Sequence, residues 1–361
     1  MGIRISPKKR IALGLYRKYK QNLQKLHPLK YIFWECTLKC NLNCLHCGSD
    51  CKQEADVADM PIKDFIKAID DITPIVNPNE TMIVFTGGEP LLRKDLEKCG
   101  QALYERGFPW GMVTNGLAMS EKRLNSLLNS GMRSVTVSLD GLEEDHNWMR
   151  GNSKSYQQAI NAIELLAKQD DLVFDVVTCM NQKSIHQIHE IKELLINKGV
   201  KEWRIFTIFP IGRAKEHSEL KLTPKQFKWL FDEMAAIRNE DRIKLNYGCE
   251  GFLGGYETEI RDNMFLCAAG IHVASVMIDG SISACPNLRS NFVQGNIYKD
   301  SFKEVWETKY VKHRDRSWAR KGECLHCDKF KYCEGNGMHL RDENEDLIFC
   351  HYNTLKEAEK L

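Results

Sequence analysis

The sequence has no long hydrophobic run and almost no net charge, and both absences restrict what the protein can be. None of its apolar stretches approaches the roughly 18 residues that a membrane-spanning helix needs. The net charge is +2 over 361 residues, so the overall electrostatic field favours neither nucleic acid nor acidic substrates. The basic N-terminus is followed by no apolar segment with a small-residue cleavage site, so no signal peptide is predicted. We therefore expect a cytoplasmic protein without a membrane span.

In contrast to these absences, the sequence contains 14 cysteines. Secreted chains that are rich in cysteine are usually short and stapled by disulfides. This chain is long, has a regular rhythm of strands and helices, and groups its cysteines at close spacing. In a reducing compartment such groups bind metal or carry out redox chemistry. The cysteines therefore indicate metal or redox sites rather than a disulfide framework.

Short β-branched or aromatic runs alternate with helical stretches from residue 31 to about residue 212. Six such strand–helix steps predict a parallel sheet of βα units. A full barrel of this kind has eight steps, so the expected fold class is α/β with a partial (β/α)6 TIM-like barrel. The predicted organisation is a basic N-terminal helix over 1–30, the barrel over 31–215, a helical linker over 216–246 and a cysteine-rich domain over 247–361.

Residues 1–30 contain nine Lys or Arg and no Asp or Glu. Ser6 followed by Pro7 predicts the start of a helix, because serine caps the first turn and proline fits the first helical position. Two interpretations of this helix stay open. It either packs on the main domain as a solvated helix, or it provides a docking surface for an acidic peptide or anionic lipid.

The strongest local signal is a loop that directly follows the first predicted strand and carries Cys40, Cys44 and Cys47. Three thiolates can each hold one iron of a [4Fe–4S] cube and leave the fourth iron open to a small molecule. Structural zinc prefers four ligands, usually as two separated pairs. Cys36 and Cys51 flank the loop and would be needed for zinc, but we interpret them as buried small hydrophobic residues.

The C-x3-C-x2-C spacing, with His46 before the last cysteine, resembles the signature of the radical SAM superfamily. The motif Gly87-Gly88-Glu89-Pro90 follows the second predicted strand, where the GGEP motif of the family holds the amino group of S-adenosylmethionine (SAM). Ser138 closes the fourth predicted strand, where related enzymes place a serine on the ribose. Arg150 matches the arginine that pairs with the SAM carboxylate, and residues 210–214 resemble the segment that lines the adenine.

This resemblance covers residues 31–214 and implies a reaction. In the family, a reduced cluster passes one electron to SAM, which splits into methionine and a 5′-deoxyadenosyl radical that abstracts hydrogen from the substrate. The cofactor supplies the hard chemistry, and the protein binds it, excludes water and orients the substrate. The resemblance therefore implies a radical SAM oxidoreductase that needs a reducing electron donor.

The C-terminal cysteines resemble the SPASM extension of radical SAM enzymes that modify peptides and proteins, which usually carries two auxiliary [4Fe–4S] clusters. Cys267 and Cys285 match its first part, with Gly280 between them. By the same pattern, one complete auxiliary cluster has four ligands: Cys324, Cys327, Cys333 and Cys350. Four thiolates in a closed site suit electron relay. Spacing alone also permits a zinc-ribbon-like site with the same four cysteines.

The chain departs from the family at Gly337, where SPASM domains have another cysteine. The second auxiliary cluster is therefore incomplete: it keeps Cys267 and Cys285, with Cys249 as a further candidate ligand, and lacks its usual last ligand. Three alternatives follow: the cluster has an open iron, a nearby residue such as His339 replaces the missing ligand, or the cluster is absent.

A further departure concerns the reaction. Sulfatase-maturing relatives have an aspartate general base directly after the cysteine that matches Cys285, and this chain has Pro286, which cannot transfer a proton. Formation of formylglycine is therefore disfavoured. The other titratable residues near this region are interpreted as structural: Tyr247, Glu250, His272 and Asp279.

The leading hypothesis is a radical SAM/SPASM maturase that installs a modification on a peptide or small protein. The whole chain resembles a subfamily associated with small lipoprotein precursors, which makes such a precursor a candidate substrate. The alternatives are a SPASM enzyme that acts on a small molecule and, from a different class, a non-catalytic iron–sulfur protein that relays electrons or binds a partner.

Overall fold

The computed structural model describes residues 2–361, and its main feature is a ten-stranded sheet that curves without closing into a barrel. The strands are β1 (Tyr31–Thr37), β2 (Met82–Gly87), β3 (Trp110–Thr114), β4 (Met132–Ser138), β5 (Val173–Met180), β6 (Glu202–Thr207), β7 (Lys244–Tyr247), β8 (Val273–Val276), β9 (Ser281–Ser283) and β10 (Gly295–Asn296). The helices are α1 (Pro7–Leu26), α2 (Ile62–Ile72), α3 (Leu96–Tyr104), α4 (Glu121–Asn129), α5 (Glu143–Arg150), α6 (Ser155–Leu166), α7 (Ile188–Asn197), α8 (Pro224–Glu240), α9 (Phe302–Thr308), α10 (Val311–Arg314), α11 (Phe330–Cys333) and α12 (His351–Ala358).

The strands lie in the order β10-β9-β8-β1-β2-β3-β4-β5-β6-β7. All neighbouring pairs from β8 to β7 are parallel, and β9 and β10 extend the β8 edge in antiparallel pairs. The six strands predicted from the sequence are β1 to β6, so the α/β class and the open, mainly parallel sheet are confirmed. Parallel order brings the carboxyl ends of these strands to one edge, where their following loops meet.

Two further parallel strands were not predicted as members of this sheet. β7 pairs with β6 and follows α8, although its first residues fell within the predicted helical linker. β8 comes from the cysteine-rich region and pairs with β1. Each has four residues, which is too short for a periodic hydrophobic pattern to identify. The hairpin predicted around Asp279-Gly280 is present, with β8 before its turn and β9 after it.

The core lies between the sheet and its helices. Trp34 of β1 stacks on Phe65 of α2 with ring centroids 4.3 Å apart, and Phe85 of β2 meets the same indole edge-on at 5.1 Å. Alternate residues of the strands face away from this core. On that other face Thr136 donates a hydrogen bond to Asp175, which also pairs with Arg204 of β6.

The cysteine-rich region is joined to the sheet by polar contacts across long sequence separations. The buried carboxylate of Glu35 on β1 accepts a hydrogen bond of 3.1 Å from Ile278 N and pairs with Arg289. Asp71 of α2 accepts a hydrogen bond of 2.9 Å from the Ser301 hydroxyl, which caps α9. The Glu35 contact holds the turn after β8 at the carboxyl end of β1, and the Asp71 contact holds the start of α9 against α2.

The predicted N-terminal helix is present as α1, capped by Ser6, whose hydroxyl accepts a hydrogen bond from Lys9 N. Its buried face rests on the cysteine-rich region, where Lys20 Nζ donates to Tyr332 O at 3.0 Å and pairs with Glu334 at 2.9 Å. In the described part of the chain, no helix has both the length and the apolar character needed to cross a bilayer.

Candidate active site

The loop with Cys40, Cys44 and Cys47 begins where β1 ends and is fixed at several points. Cys40 N donates to Lys52 O at 2.8 Å, which closes the base of the loop. Leu45 N bonds to a carbonyl of α5 at 2.9 Å. Arg213 donates from Nε to Cys44 O at 2.8 Å, so the segment after β6 reaches across to the same loop. The three cysteines therefore lie on a loop whose backbone is held from both sides of the sheet's end.

The Gly87-Gly88-Glu89-Pro90 turn packs directly against this loop. Gly88 N donates to Thr37 O and Glu89 N donates to Lys39 O, each at 2.8 Å. A Cβ on Gly87 would lie 2.0 Å from Thr37 O, and the φ of +118° at Gly87 also favours glycine. A Cβ on Gly88 would meet Lys39 O equally closely. The glycines thus allow two loop backbones to touch, which the sequence did not indicate.

Glu89 is buried and joins the ends of β2 and β3. Its Oε1 accepts hydrogen bonds from Thr114 Oγ1 at 2.7 Å and Leu91 N at 3.1 Å, and Oε2 accepts one from Asn115 N at 2.8 Å. Burial raises the pKa of the carboxyl, and these hydrogen bonds oppose that shift. Asn115 also donates to Asn41 of the cysteine loop at 2.8 Å. The GGEP turn, the loop after β3 and the cysteine loop therefore form one unit.

Arg150 lies at the C-terminal end of α5 in a buried charged cluster. Its Nη2 is 2.7 Å from Asp140 Oδ2, and its Nη1 is 3.6 Å from Cys44 Sγ. Asp140 also accepts a hydrogen bond from Cys179 N at 3.0 Å, and His46 Nε2 lies 3.8 Å from its carboxylate. Asp140 follows Ser138 by two residues, and its contact with Arg150 was not predicted from the sequence. The contact between Asp140 and Arg150 depends on the turn that leads into α5, and the spacing of the two residues in the sequence does not predict that turn.

His46, Asp140 and Cys179 each bring one atom of metal-ligand type within 4.8 Å of the others. The guanidinium of Arg150 already faces the same carboxylate, so a cation would meet a positive charge at this place. Burial lowers the pKa of His46 to about 4, which leaves its imidazole neutral at neutral pH. We therefore interpret this set as a buried polar cluster beside the cysteine loop and not as a cation site.

The residues around the cysteine loop fit SAM and a three-cysteine cluster. Arg150 Nε and His46 Nδ1 are buried atoms without a hydrogen-bond partner among the described residues, which leaves polar atoms free for a zwitterionic nucleoside ligand. Ser138 is half-buried at the carboxyl end of β4, and Pro90 begins the short turn after β2. Cys36 instead donates to Thr86 O in the core, whereas Cys51 lies against Cys47 and its thiol lowers the Cys47 pKa.

The four cysteines predicted for a complete auxiliary cluster come together. They line one enclosed cavity with aromatic walls: Cys324, Cys327, Cys333 and Cys350. Asn336 N lies 3.1 Å from Cys333 Sγ, and Arg341 Nη2 lies 4.0 Å from Cys324 Sγ. Donors aimed at sulfur are the surroundings that buried iron–sulfur clusters have. The donor set therefore fits a four-cysteine cluster.

The three cysteines of the incomplete set are also neighbours. Burial, with smaller contributions from Cys249 and Cys267, raises the pKa of Cys285 to about 12. Cys267 Sγ accepts a hydrogen bond of 3.4 Å from Met338 N. A Cβ on Gly337 would lie 2.6 Å from Cε1 of His339, so the imidazole occupies the space of the missing cysteine side chain.

The buried network beside these cysteines was interpreted from sequence as structural, and its contacts agree with that role. Glu250 accepts hydrogen bonds from Tyr247 Oη and Thr207 N, and His351 Nε2 lies 3.3 Å from its carboxylate. Of the other two candidates, His272 lies 2.9 Å from Pro28 O, and Asp279 accepts from Ser281 N in the hairpin turn.

A cavity of about 190 Å3 lies between the segment after β6 and the C-terminal region. One wall is the segment after β6, with Pro210, Ile211 and Lys215. The other wall includes Leu288, three residues after Cys285, and the imidazole of His339. This cavity was not found from sequence, because its two walls are far apart in the chain.

Comparison with known proteins agrees with this geometry. Residues 34–195 match the model of the radical SAM superfamily, and residues 267–328 match an iron–sulfur cluster-binding domain named SPASM. An AdoMet-dependent heme synthase of Methanosarcina barkeri is 25% identical over 323 residues, 85% of this chain and 90% of that protein. The mycofactocin maturase MftC of Mycolicibacterium smegmatis is 26% identical over 320 residues, 84% and 77% of the two chains.

Solved structures share the fold over most of the chain. Streptococcus suis SuiB bound to the precursor peptide SuiA has a TM-score of 0.66 at 17% identity, covering 92% of this chain and 77% of that chain. The structure of anSMEcpe with bound AdoMet and the Cp18Cys peptide has a TM-score of 0.69 at 20% identity, covering 92% and 95%.

Proposed function

We propose that this enzyme, whose radical SAM and SPASM domains bind S-adenosylmethionine and iron–sulfur clusters, modifies a side chain of a peptide or small protein. The observation that carries the proposal is the cavity of about 190 Å3 between the segment after β6 and the region after Cys285. Cavities that enclose a whole small-molecule ligand usually measure about 300–1,000 Å3. A cavity of this smaller size suits a single amino-acid side chain, with the rest of a peptide outside.

The chain's own residues would divide the work in the SAM region. Cys40, Cys44 and Cys47 would hold the cluster through three of its irons. Glu89 would receive the amino group of SAM, and Arg150 its carboxylate, while Gly87 and Gly88 keep the loops in contact. Ser138 would hold the ribose. When bound together, the cluster and SAM would supply the radical chemistry that abstracts hydrogen from the substrate.

The C-terminal cysteines would support electron transfer. Cys324, Cys327, Cys333 and Cys350 would hold a closed auxiliary cluster, which exchanges electrons rather than binding substrate. Cys249, Cys267 and Cys285 would hold a second cluster, with His339 beside its incomplete side. A reducing electron donor would serve these centres, in the cytoplasm.

We keep the segment boundaries predicted from the sequence as part of the proposal: the N-terminal helix over 1–30, the barrel over 31–215, the linker over 216–246 and the cysteine-rich domain over 247–361. The finer proposal for the substrate is a small lipoprotein precursor, as the subfamily resemblance implies. Two structural neighbours were solved with peptides, SuiB with its precursor and anSMEcpe with Cp18Cys. These peptides belong to those proteins, and they support a peptide as the class of substrate here.

The first test is formation of 5′-deoxyadenosine by the anaerobically reconstituted protein with dithionite and SAM. We expect a clear yield that Cys44→Ala removes. A co-expressed precursor peptide should then change mass with the wild-type enzyme and keep its mass with Cys44→Ala. A precursor of identical mass in both cases would contradict the peptide proposal, even if SAM is cleaved.

A small-molecule substrate is the second candidate, because three relatives that cover 85–87% of this chain carry the name heme synthase. The two candidates separate in one comparison. A precursor peptide that increases the yield of 5′-deoxyadenosine and is itself modified favours the first candidate. An increase with a porphyrin, and none with peptides, would favour the second.

A further inference from the structure

Helix α1 carries an apolar stripe on the face that points away from the protein. Ile11, Leu15, Tyr19 and Leu26 are 69%, 65%, 54% and 72% exposed. Their spacing of four, four and seven residues places them along one side of the helix. At 1.5 Å per residue the stripe is about 22 Å long. Single exposed apolar residues are ordinary, but an aligned row along a whole helix indicates an interaction surface.

Basic residues border this stripe on one side. Lys18 and Lys25 are exposed and lie next to it around the helix, Lys8 is exposed at its N-terminal end, and the exposed Arg10 and Arg17 lie farther round the helix. Residues 1–30 contain no Asp or Glu. The whole protein has a net charge of only +2, so this positive charge is a local feature of the helix. The surface therefore attracts an anionic partner at short range.

The opposite face of α1 is anchored, so the stripe is presented rigidly. Lys20 pairs with Glu334 at 2.9 Å, Lys9 pairs with Glu259 at 2.6 Å, and Leu13 is buried among apolar residues. The helix also has a capped N-terminus. Binding through the outer face would not require α1 to fold, so little conformational entropy would be lost.

The shape of this surface distinguishes between an acidic peptide and an anionic lipid surface as the partner. Peptides are usually recognised in grooves or along strand edges that enclose their side chains. The stripe of α1 is instead a convex ridge with exposed apolar residues along its length, and Tyr19, at its edge, also borders a cavity against the protein body. A ridge of this kind buries its apolar side chains in the fluid boundary between headgroups and acyl chains, while adjacent Lys and Arg meet anionic headgroups.

We propose that the outer face of α1 binds the surface of an anionic lipid bilayer, with Ile11, Leu15, Tyr19 and Leu26 inserted and the neighbouring basic residues on the headgroups. The enzyme would then be peripherally attached through this helix. The proposal rests on the exposed residues of α1 alone, so its failure would leave the proposed reaction untouched.

The test is co-sedimentation of the full-length reconstituted enzyme with vesicles. One preparation contains only phosphatidylcholine, and the other contains equal amounts of phosphatidylcholine and phosphatidylglycerol. We expect strong binding only to the anionic vesicles. Ile11→Gln with Leu15→Gln should weaken binding by at least ~10-fold, since both apolar side chains leave the interface. Lys18→Gln with Lys25→Gln should weaken binding by on the order of 10-fold. Added salt should also weaken binding, because it screens the charges.

Glutamine is a good helix former, so these variants should keep α1 folded. The matched controls are Val173→Gln, at an equally exposed apolar position on β5, and Lys122→Gln, at an exposed position on α4. Both should bind like wild type, and all variants should keep their iron content and SAM cleavage. Equal sedimentation of wild type and Ile11→Gln/Leu15→Gln would overturn the proposal. Charge-dependent binding to a poly-glutamate peptide without vesicle binding would also overturn it, in favour of an acidic protein partner.

Discussion

Arg150 Nη2 lies 2.7 Å from Asp140 Oδ2, and both side chains are buried beside the cysteine loop. The Asp140 carboxylate thus orients the guanidinium that also approaches Cys44 Sγ. Arg150 was predicted as a SAM ligand, and this pair shows which side chain holds it in position. Asp140 acts through Arg150 and is in that sense a positioning residue.

Asp140→Asn should destabilise the protein, because it leaves the buried charge of Arg150 without its partner. Removing one member of a buried pair costs about 3–5 kcal/mol. The corresponding cost for Asp175→Asn should be about 1 kcal/mol or less, since its partner Arg204 is 42% exposed. Urea denaturation under anaerobic conditions measures both changes. Equal losses of unfolding free energy in the two variants would contradict the role given to Asp140.

Cys47→Ala should remove the SAM-cleaving cluster, because two thiolates from this loop would not hold the cube. The matched variant is Cys36→Ala, whose thiol is buried in the core and donates to Thr86 O. We expect Cys36→Ala to keep its iron content and its yield of 5′-deoxyadenosine, and Cys47→Ala to lose the yield. If Cys36→Ala loses bound iron together with the yield, the assignment of ligands in this loop is wrong.

Cys327→Ala should separate the two iron–sulfur regions. The Cys327 side chain lines the four-cysteine cavity and lies outside the SAM region. We expect bound iron to fall by about four atoms, SAM cleavage to continue, and product formation to decrease. SAM cleavage lost to the same extent as in Cys47→Ala would show that the C-terminal cluster is needed for folding rather than for electron relay.

Two glycine substitutions should change the stability of the protein in opposite directions. Gly87→Ala places a Cβ 2.0 Å from Thr37 O at a φ of +118°, so it should reduce stability by about 1–3 kcal/mol and reduce cluster incorporation. Gly14→Ala lies in α1, where an added Cβ meets nothing within 4 Å. It should increase stability by about 1 kcal/mol, because alanine favours the helix. Thermal denaturation of both variants checks the pair of signs.

His313 should make the protein less stable in mild acid. Both ring nitrogens are buried without a hydrogen-bond partner among the described residues, and burial lowers the pKa of His313 to about 3. The unfolded chain binds a proton at this residue near pH 6.5, whereas the folded chain does not. Above about pH 6.5, His313 therefore has little effect on the free energy of unfolding. As the pH falls below this value, proton binding by the unfolded chain lowers the free energy of unfolding, by about 1.4 kcal/mol at pH 5.5.

His313→Leu keeps an apolar contact with Tyr310 and removes the titrating group. The difference in unfolding free energy between pH 7.5 and 5.5 should therefore be about 1.4 kcal/mol smaller in His313→Leu than in wild type. Urea denaturation at the two pH values measures it. An unchanged difference would show that His313 is protonated in the folded protein.

Much of the candidate site could be predicted because its residues are local in sequence. The C-x3-C-x2-C loop, the GGEP turn and the strand–helix rhythm each occupy a short segment. Each pattern can be recognised from residues that are close together in the sequence: three thiols on one loop, glycines at a turn, and apolar side chains at regular spacing. Ser6-Pro7 likewise predicted the start of α1, which the structure confirms.

The tertiary structure alone decided what these segments touch. Glu35 bonds to Ile278 N across 243 residues, and Arg150 meets Cys44 across 106. The place of β8 beside β1, and of His339 at the missing cysteine, depends on chain reversal between distant segments. Local propensity determined which elements form, because it acts between near neighbours. Packing determined which elements meet, because burial of apolar surface and of paired charges depends on residues far apart in the sequence.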